Sequence, residues 1–289
     1  MPLPPPWKLK RELRRIYESL LTAVRYRHLV EWLRLSFYEM APSLNLRETH
    51  GALTLTSRVA VFVLFQPKAV APSTLITLEY LAQEGWSVLV ISNSPLSRED
   101  RDRLASKSAQ VIERPNLGYD FGAYREGWRW LHGRDHRIVR LILMNDSTWF
   151  PLRRQDDSLR RMEMLNADLA GHIFKTVFSD DPRDDHVESH LLMFGPRALL
   201  HPDIHQFWAT YRMTNSRALT IKTGEVGISQ AAIGAGLTVK GLLDRDRLLT
   251  LLEGLNDDEL SLVVANLVLD DADSRQLRAD WRAAAATGM

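Results

Sequence analysis

Two short stretches carry residues whose types and spacing suit chemistry on phosphates and hydroxyls. In "ERPNLGYDFGAYREGWRW", Glu113 to Trp130, an acid, Asp120, stands among the small and turn-forming residues Asn116, Gly118 and Gly122; in "LILMNDS", Asp146 lies between Asn145 and Ser147. A carboxylate flanked by small polar groups at a strand end, facing a second such carboxylate, is how oxygen ligands hold a phosphate-bound divalent cation. Taken singly, Asp120 reads as a helix N-cap and "NDS" as a tight turn. Three further residues could take a proton from a hydroxyl. Glu225 opens the helix expected in "TGEVGISQAAIGAGL", where the helix dipole alone would also explain an acid. His186 and Glu188, in "DDHVESHLLMF", precede a strand-like run on which His190 shares a face with Glu188.

The elements that must position these residues follow from hydrophobic periodicity. "RVAVFVLF", "WSVLVISNS", "AQVIER" and "RIVRLILMNDS" read as buried strands. Between them lie helical segments: "APSTLITLEYLAQEG", stopped by Gly85; "PLSREDRDRLASKS", capped by Ser97; and "FGAYREGWRWLHG". Strand and helix in alternation imply right-handed βαβ units, whose ligands bind beyond the carboxyl ends of the strands. "NLGYDFG" and "NDS" both fall at such ends. Pro115 stops the third strand, Asn116 and Gly118 suit a left-handed turn, and Asp120 takes the N-cap position.

Around this core, residues 1–50 read as a basic amphipathic helical extension, 51–245 as the α/β domain and 246–289 as a helical tail broken and capped at Asn256 and Asp257. The extension carries Lys8, Lys10, Arg11, Arg14, Arg15, Arg25 and Arg27 beside Trp7, Trp32 and Phe37. That pattern suits either a solvated helix packed on its own domain or one lying on an anionic membrane through residues 7–38. A formal charge of +1 and the lack of a basic stripe in the core argue against nucleic acid as partner. The chain has no cysteine, which excludes thiolate chemistry and disulfides. No long apolar run or secretory signal is legible, so a cytoplasmic location, peripheral on the inner membrane face in the second reading, is the expectation. The acidic loop Asp180, Asp181, Asp184, Asp185 reads as solvated rather than metal-binding.

The ordered set "N-L-G-Y-D-F-G", an apolar strand and "NDS" resembles the nucleotide-sugar half of GT-A-fold glycosyltransferases of the large inverting family two. From Arg58 to Leu243 it is similar to the rhamnan synthesis protein F family of bacterial cell-surface polysaccharide clusters. The resemblance implies an α/β, GT-A-like and Rossmann-related, mostly parallel sheet flanked by helices. It further implies transfer of a sugar, rhamnose or another deoxyhexose, from a nucleotide-diphosphate donor to a glycan or lipid-linked glycan. Under it, Asn116, Gly118, Asp120, Gly122, Asn145, Ser147 and Arg114 would line the donor, with Arg125 a further diphosphate candidate. Asp146 would be the one carboxylate for a Mg²⁺ or Mn²⁺ ion, since Asn145 and Ser147 replace the usual aspartates. Glu225, then Glu188 and His186, would be the catalytic candidates, and Trp149, just past "NDS", a stacking face. The weakened "NDS" keeps an alternative open: a module that binds nucleotide sugar or glycan, or scaffolds an assembly complex, without turnover.

Overall fold

The computed structural model describes residues 27–41, 45–134, 136–176, 185–266, 276 and 279. Lys8 to Arg25 of the basic extension and Asp180 to Asp184 of the acidic loop lie outside these residues. The chain divides into two compact units, Met1–Leu242 and Leu243–Met289.

The first unit opens with α1 (Arg27–Met40) and β1 (Arg47–His50) and then follows the alternation read from the sequence: β2 (Arg58–Leu64), α2 (Pro72–Gln83), β3 (Ser87–Ser92), α3 (Arg98–Ala105), β4 (Gln110–Glu113), α4 (Tyr119–His132) and β5 (Arg140–Asn145). Short elements complete it: α5 (Ser158–Met164), β6 (Leu169–Lys175), β7 (His186–Val187), β8 (Leu191–Phe194), α6 (Pro196–Leu199), α7 (Pro202–Thr210), α8 (Arg217–Thr220), a π-helical turn (Ile221–Val226), α9 (Gly227–Gly234) and β9 (Val239–Leu243). Punctuation is where the residue types put it. Gly85 takes φ +79° after α2, and Ser97 Oγ accepts from Asp100 N–H at the start of α3.

The sheet runs β1-β4-β3-β2-β5-β8-β6-β7, with β9 paired to β6. It is mixed rather than mostly parallel. Parallel pairing holds β4-β3-β2-β5 together, whereas β1, β8, β6 and β7 join antiparallel. β1 lies before the boundary expected at residue 51 and is nonetheless a sheet strand.

Side chains alternate across the sheet and build a core on each face. Val59, Val61 and Val63 of β2 pack with Tyr124, Trp128 and Leu131 of α4 and with Trp208 of α7. Ala60, Phe62 and Leu64 face the other way, against Leu78 and Leu81 of α2 and Leu104 of α3. Full burial of each such aliphatic side chain contributes about 1.5–3 kcal/mol, which is why these strands read as unbroken apolar runs. α1 is tied to the same body: Tyr38 is buried and donates to Glu126 Oε2 at 2.7 Å.

Strand order fixes where ligands can enter. The chain steps from β2 to β3 to β4 and then, through α4, returns past both to β5, so the order reverses between β2 and β5. Crevices at such switch points, beyond the carboxyl ends of the strands, are where open α/β sheets bind ligands.

The second unit contains α10 (Arg245–Glu253) and α11 (Asp257–Asn266). Asn256 N–H donates to Glu259 Oε2 at 3.0 Å and Glu259 N–H to Asn256 Oδ1 at 2.9 Å, a reciprocal cap at the expected break.

Candidate active site at the switch point

Asp120 and "NDS" meet, but not because their strands are neighbours. β4 and β5 are separated by β3 and β2. The meeting is made by α4, whose first turn overhangs the end of β5: Asn145 Nδ2 donates to Asp120 Oδ2 at 2.7 Å. Asp120 is not the N-cap. That position belongs to Gly118 at φ +74°, followed by Tyr119 at φ +50°, so the left-handed pair is 118–119 and not 116 and 118. Asp120 sits instead in the first helical turn, where the dipole favours an anion. Burial nevertheless raises its carboxyl above the usual range and Asp146 adds to this, while the Asn145 bond works the other way.

Asn145 is buried and organises the turn, its Oδ1 accepting from Ser147 N–H at 3.1 Å and Ser147 Oγ at 2.5 Å. Asp146 points to the end of β2, where its Oδ2 accepts from Phe65 N–H at 3.1 Å and Gln66 Nε2 at 2.9 Å. Gln66 is itself fixed by Thr74 Oγ1 and Ala71 N–H at the start of α2. A cavity of about 550 Å³ opens here, lined by Gln66, Lys68, Ser73, Thr74, Asp146 and Trp149. Trp149 is 83% exposed, as a stacking face would need to be.

The other candidates approach from the antiparallel side. The π-helical turn continues from α8 into α9, so Glu225 lies within a helical run and not at its start. Its Oε2 accepts from Ser189 N–H at 2.8 Å and from Ser189 Oγ, and its Oε1 stands 3.3 Å from His186 Nε2. Burial works to raise Glu225, and the His186 and Ser189 hydrogen bonds outweigh it, leaving the carboxyl below its ordinary value. The same run braces the segment through Ser229 Oγ, which accepts from Val187 N–H, and Gln230, which donates to Asp185 O. His190 is not on a strand as expected: residues 188–190 form a turn between β7 and β8, with Glu188 Oε2 3.7 Å from His190 Nδ1.

This turn closes the site. Asn145 N–H donates to His190 O at 3.3 Å, and Tyr124 OH to Ser189 O at 2.9 Å. Tyr124 is buried, and after burial the charges of Asp120, Glu225 and Asp146 push its hydroxyl further up.

Several expected ligand contacts are instead structural. Arg114 is buried and spends its guanidinium on Asn93 Oδ1 at 2.6 Å, Leu117 O at 2.7 Å and Tyr38 OH at 3.3 Å. Arg125 is a bidentate partner of Glu39 on α1. A Cβ on Gly118 would lie 2.8 Å from Met213 Cβ, and one on Gly122 2.1 Å from Leu117 O; both glycines admit protein, not ligand. Asn116 is exposed in a separate groove with Leu33 and Phe37 of α1. Trp128 and Trp208 are core, stacked at 5.7 Å.

Sequence reading missed Gln66, Tyr124, Ser189, His172 and Asn215. Asn215 Oδ1 accepts from Gly118 N–H at 2.8 Å and its carbonyl from Tyr119 OH, holding the left-handed turn. Tyr124 alone had a signal, four residues after Asp120 on the same helical face. Among the described residues no three His, Asp or Glu side chains converge to hold a metal ion. Asn145 turns its amide donor, not an oxygen, to Asp120, so the residues do not form a resident metal centre. Also among them, no helix is long and apolar enough to cross a membrane.

Comparison with known proteins bears on the site. A mannosyltransferase from Pyrobaculum calidifontis, solved with GDP-mannose and Mn²⁺, aligns over 78% of this chain and 66% of its own at 11% identity. Its TM-score of 0.37 transfers neither topology nor ligand. The protein y4gN of Sinorhizobium fredii (strain NBRC 101917 / NGR234) is 31% identical over 193 residues, 67% of this chain. The match is 50% of y4gN, so the chain spans about half the length of that curated relative. The family model described as rhamnan synthesis protein F matches residues 88–271, a stretch that includes Asp120, Asp146, Glu188 and Glu225. The chain belongs to the rhamnan synthesis protein F family.

Proposed function

We propose that the chain is a glycosyltransferase of polysaccharide synthesis, moving rhamnose or another deoxyhexose from a nucleotide-diphosphate donor to a growing cell-surface glycan with inversion. The observation that carries this reading is the meeting of Asp120 with the Asn145–Asp146 turn at the switch point, beside an open cavity with a cation, Lys68, and an exposed aromatic, Trp149. The family's description supplies the rhamnan context.

In this reading the diphosphate lies between Lys68 and the amino end of α2, and the sugar is held near Asp146, Asn145 and Asp120. A divalent cation enters only as a companion of the diphosphate, with Asp146 as its protein carboxylate; no step depends on it. The acceptor is a glycan or lipid-linked glycan. Peripheral membrane contact draws support from Val30, Leu33, Phe37 and Met40, which leave α1 with an exposed apolar side beside Arg34.

The amide that Asn145 presents to Asp120 favours the second reading, a module that binds the donor without turnover. One experiment separates the two. Thermal stability is measured with a panel of diphospho-sugars, with and without Mg²⁺ or Mn²⁺, followed by donor hydrolysis in wild type and Asp146→Ala. A ligand present at a hundred times its Kd stabilises by about 2.7 kcal/mol. Turnover lost in Asp146→Ala supports the transferase, binding without turnover supports the module, and no binding by any diphospho-sugar refutes both.

A further inference from the structure

The carboxylate that the sequence favours as general base is poorly placed to be one. Both Glu225 oxygens are engaged, Oε2 by Ser189 N–H and Oγ and Oε1 by His186, and its side chain is 17% exposed. Hydrogen bonds that stabilise a carboxylate's charged form make it a weaker proton acceptor. Glu188 is the opposite case. Its side chain is 35% exposed, and among the described residues no donor is hydrogen-bonded to its carboxylate. It leads the 188–190 turn that Asn145 and Tyr124 tie to the site.

Behind Glu188 stand two histidines. His190 Nε2 is 3.2 Å from His172 Nδ1 on β6, and the two rings lie 5.3 Å apart. His172 Nε2 is buried without a hydrogen-bond partner among the described residues. A stranded N–H there would cost more than a bare lone pair, which puts the His172 proton on Nδ1, donating to His190 Nε2. The proton of a neutral His190 then sits on Nδ1, the nitrogen that faces Glu188 at 3.7 Å. That distance is longer than a hydrogen bond, as catalytic contacts often are before substrate arrives. Burial lowers both rings, His172 to about 4, so both are neutral near pH 7. The charged or titratable groups facing His190 are Glu188 in its own turn, Glu225 from the π-helical turn and His172 from β6.

We infer that Glu188 accepts the acceptor's proton, that His190 and His172 are its positioning residues, and that Glu225 is a strut for the 186–189 segment. The inference rests on the glycosyltransferase reading. In the step, the acceptor hydroxyl gives its proton to a Glu188 oxygen while its own oxygen bonds to the anomeric carbon. The bond from that carbon to the donor phosphate oxygen breaks, and the nucleoside diphosphate leaves with the electron pair.

The test compares wild type with Glu188→Gln, Glu225→Gln, His190→Leu, His190→Gln and His172→Asn. Each is assayed for thermal stabilisation by the diphospho-sugar that stabilises wild type, and for acceptor-dependent release of nucleoside diphosphate. Glu188→Gln should bind donor as wild type does and lose about 10²–10⁴-fold in kcat. His190→Leu removes the ring that stands 3.7 Å behind the Glu188 carboxylate. It should lower kcat with KM unchanged, with partial rescue in His190→Gln; His172→Asn should do the same more weakly. Glu225→Gln should lower the unfolding midpoint and keep most of kcat; if it fails to fold, Ser189→Ala, which removes one Glu225 donor, should keep the rate.

A wild-type rate in Glu188→Gln would overturn the inference while leaving the transferase reading intact. So would loss of kcat in Glu225→Gln with donor binding and unfolding midpoint unchanged. Absence of donor binding by wild type would remove the reading and the inference together.

Discussion

Arg114→Gln tests most directly whether the strand-end arginine meets a diphosphate or holds the protein together. Arg114 is 3% exposed, and its guanidinium donates to Asn93, Leu117 and Tyr38 at 2.6, 2.7 and 3.3 Å. Removing it strands those three acceptors. An unsatisfied buried group costs about 1–3 kcal/mol, and relaxation of a surface-near loop recovers part of that, so the net loss should be about 3–5 kcal/mol. Tyr38 adds to the loss, because its hydroxyl also donates to the buried Glu126 and the arginine's charge is the favourable neighbour of that pair. At about 2–4 °C per kcal/mol for a body of this size, the unfolding midpoint should fall by roughly 6–20 °C. The measurements are thermal and urea unfolding by circular dichroism, with donor-induced stabilisation on the folded fraction. Arg114→Lys should recover little, since a single ammonium cannot span the three acceptors. A midpoint within a degree of wild type, coupled with loss of donor binding, would show that the arginine serves the ligand and that the structural argument is wrong.

Other perturbations follow from the same geometry. His172 is depressed from 6.5 to about 4 by burial and by His190, so the unfolded chain binds the extra proton first; its stabilising contribution is full above pH 6.5 and lost as pH falls towards 4. Unfolding free energy by urea should drop by about 3 kcal/mol across that window, and much less in His172→Asn. Gly118→Ala must adopt φ +74° and place a Cβ 2.8 Å from Met213 Cβ; a loss of about 1–3 kcal/mol is expected by thermal unfolding, and Met213→Ala, which keeps that Cβ, should not restore it. Asn145→Asp would replace the donor 2.7 Å from Asp120 Oδ2 with a second acceptor. It should lower the midpoint at pH 7, and Mn²⁺ should restore part of the loss in this variant more than in wild type.

The helices and strands from Arg58 to Asn145 were legible because the strand side chains there are buried on defined faces, with few exposed apolar residues such as Ile76, and because Gly85 and Pro115 punctuate by backbone sterics and Ser97 by its cap. The site was legible as two strand-end motifs but not as a geometry. Nothing in "ERPNLGYDFG" reveals that the chain will cross two strands before pairing again, so the bond that brings Asn145 to Asp120 has no signature there. Arg114 and Arg125 misled for a related reason: a basic residue beside a glycine-rich turn has the same local sequence whether it faces a phosphate or a buried acceptor. Glu39 lies 86 residues from Arg125, and Tyr38 lies 76 from Arg114. The bond from Glu225 to Ser189 is invisible for another reason, since it depends on a π-helical turn that has no clear composition.

That turn gives the helical stretch Arg217–Gly234 a length dependence that an ordinary helix lacks. A π turn holds one residue more than an α turn, and the surplus sits in Ile221–Val226, between two α-helical segments. Removing one residue ahead of Glu225 would let the turn close as an α-helical one while the segments on either side keep their faces, because the π turn already fits its extra residue into one revolution. Ser229 and Gln230, in α9, could then keep Val187 and Asp185, whereas Glu225, inside the turn, would change its aim. Relatives one residue shorter here should therefore keep those two braces and lose the Glu225–Ser189 pairing.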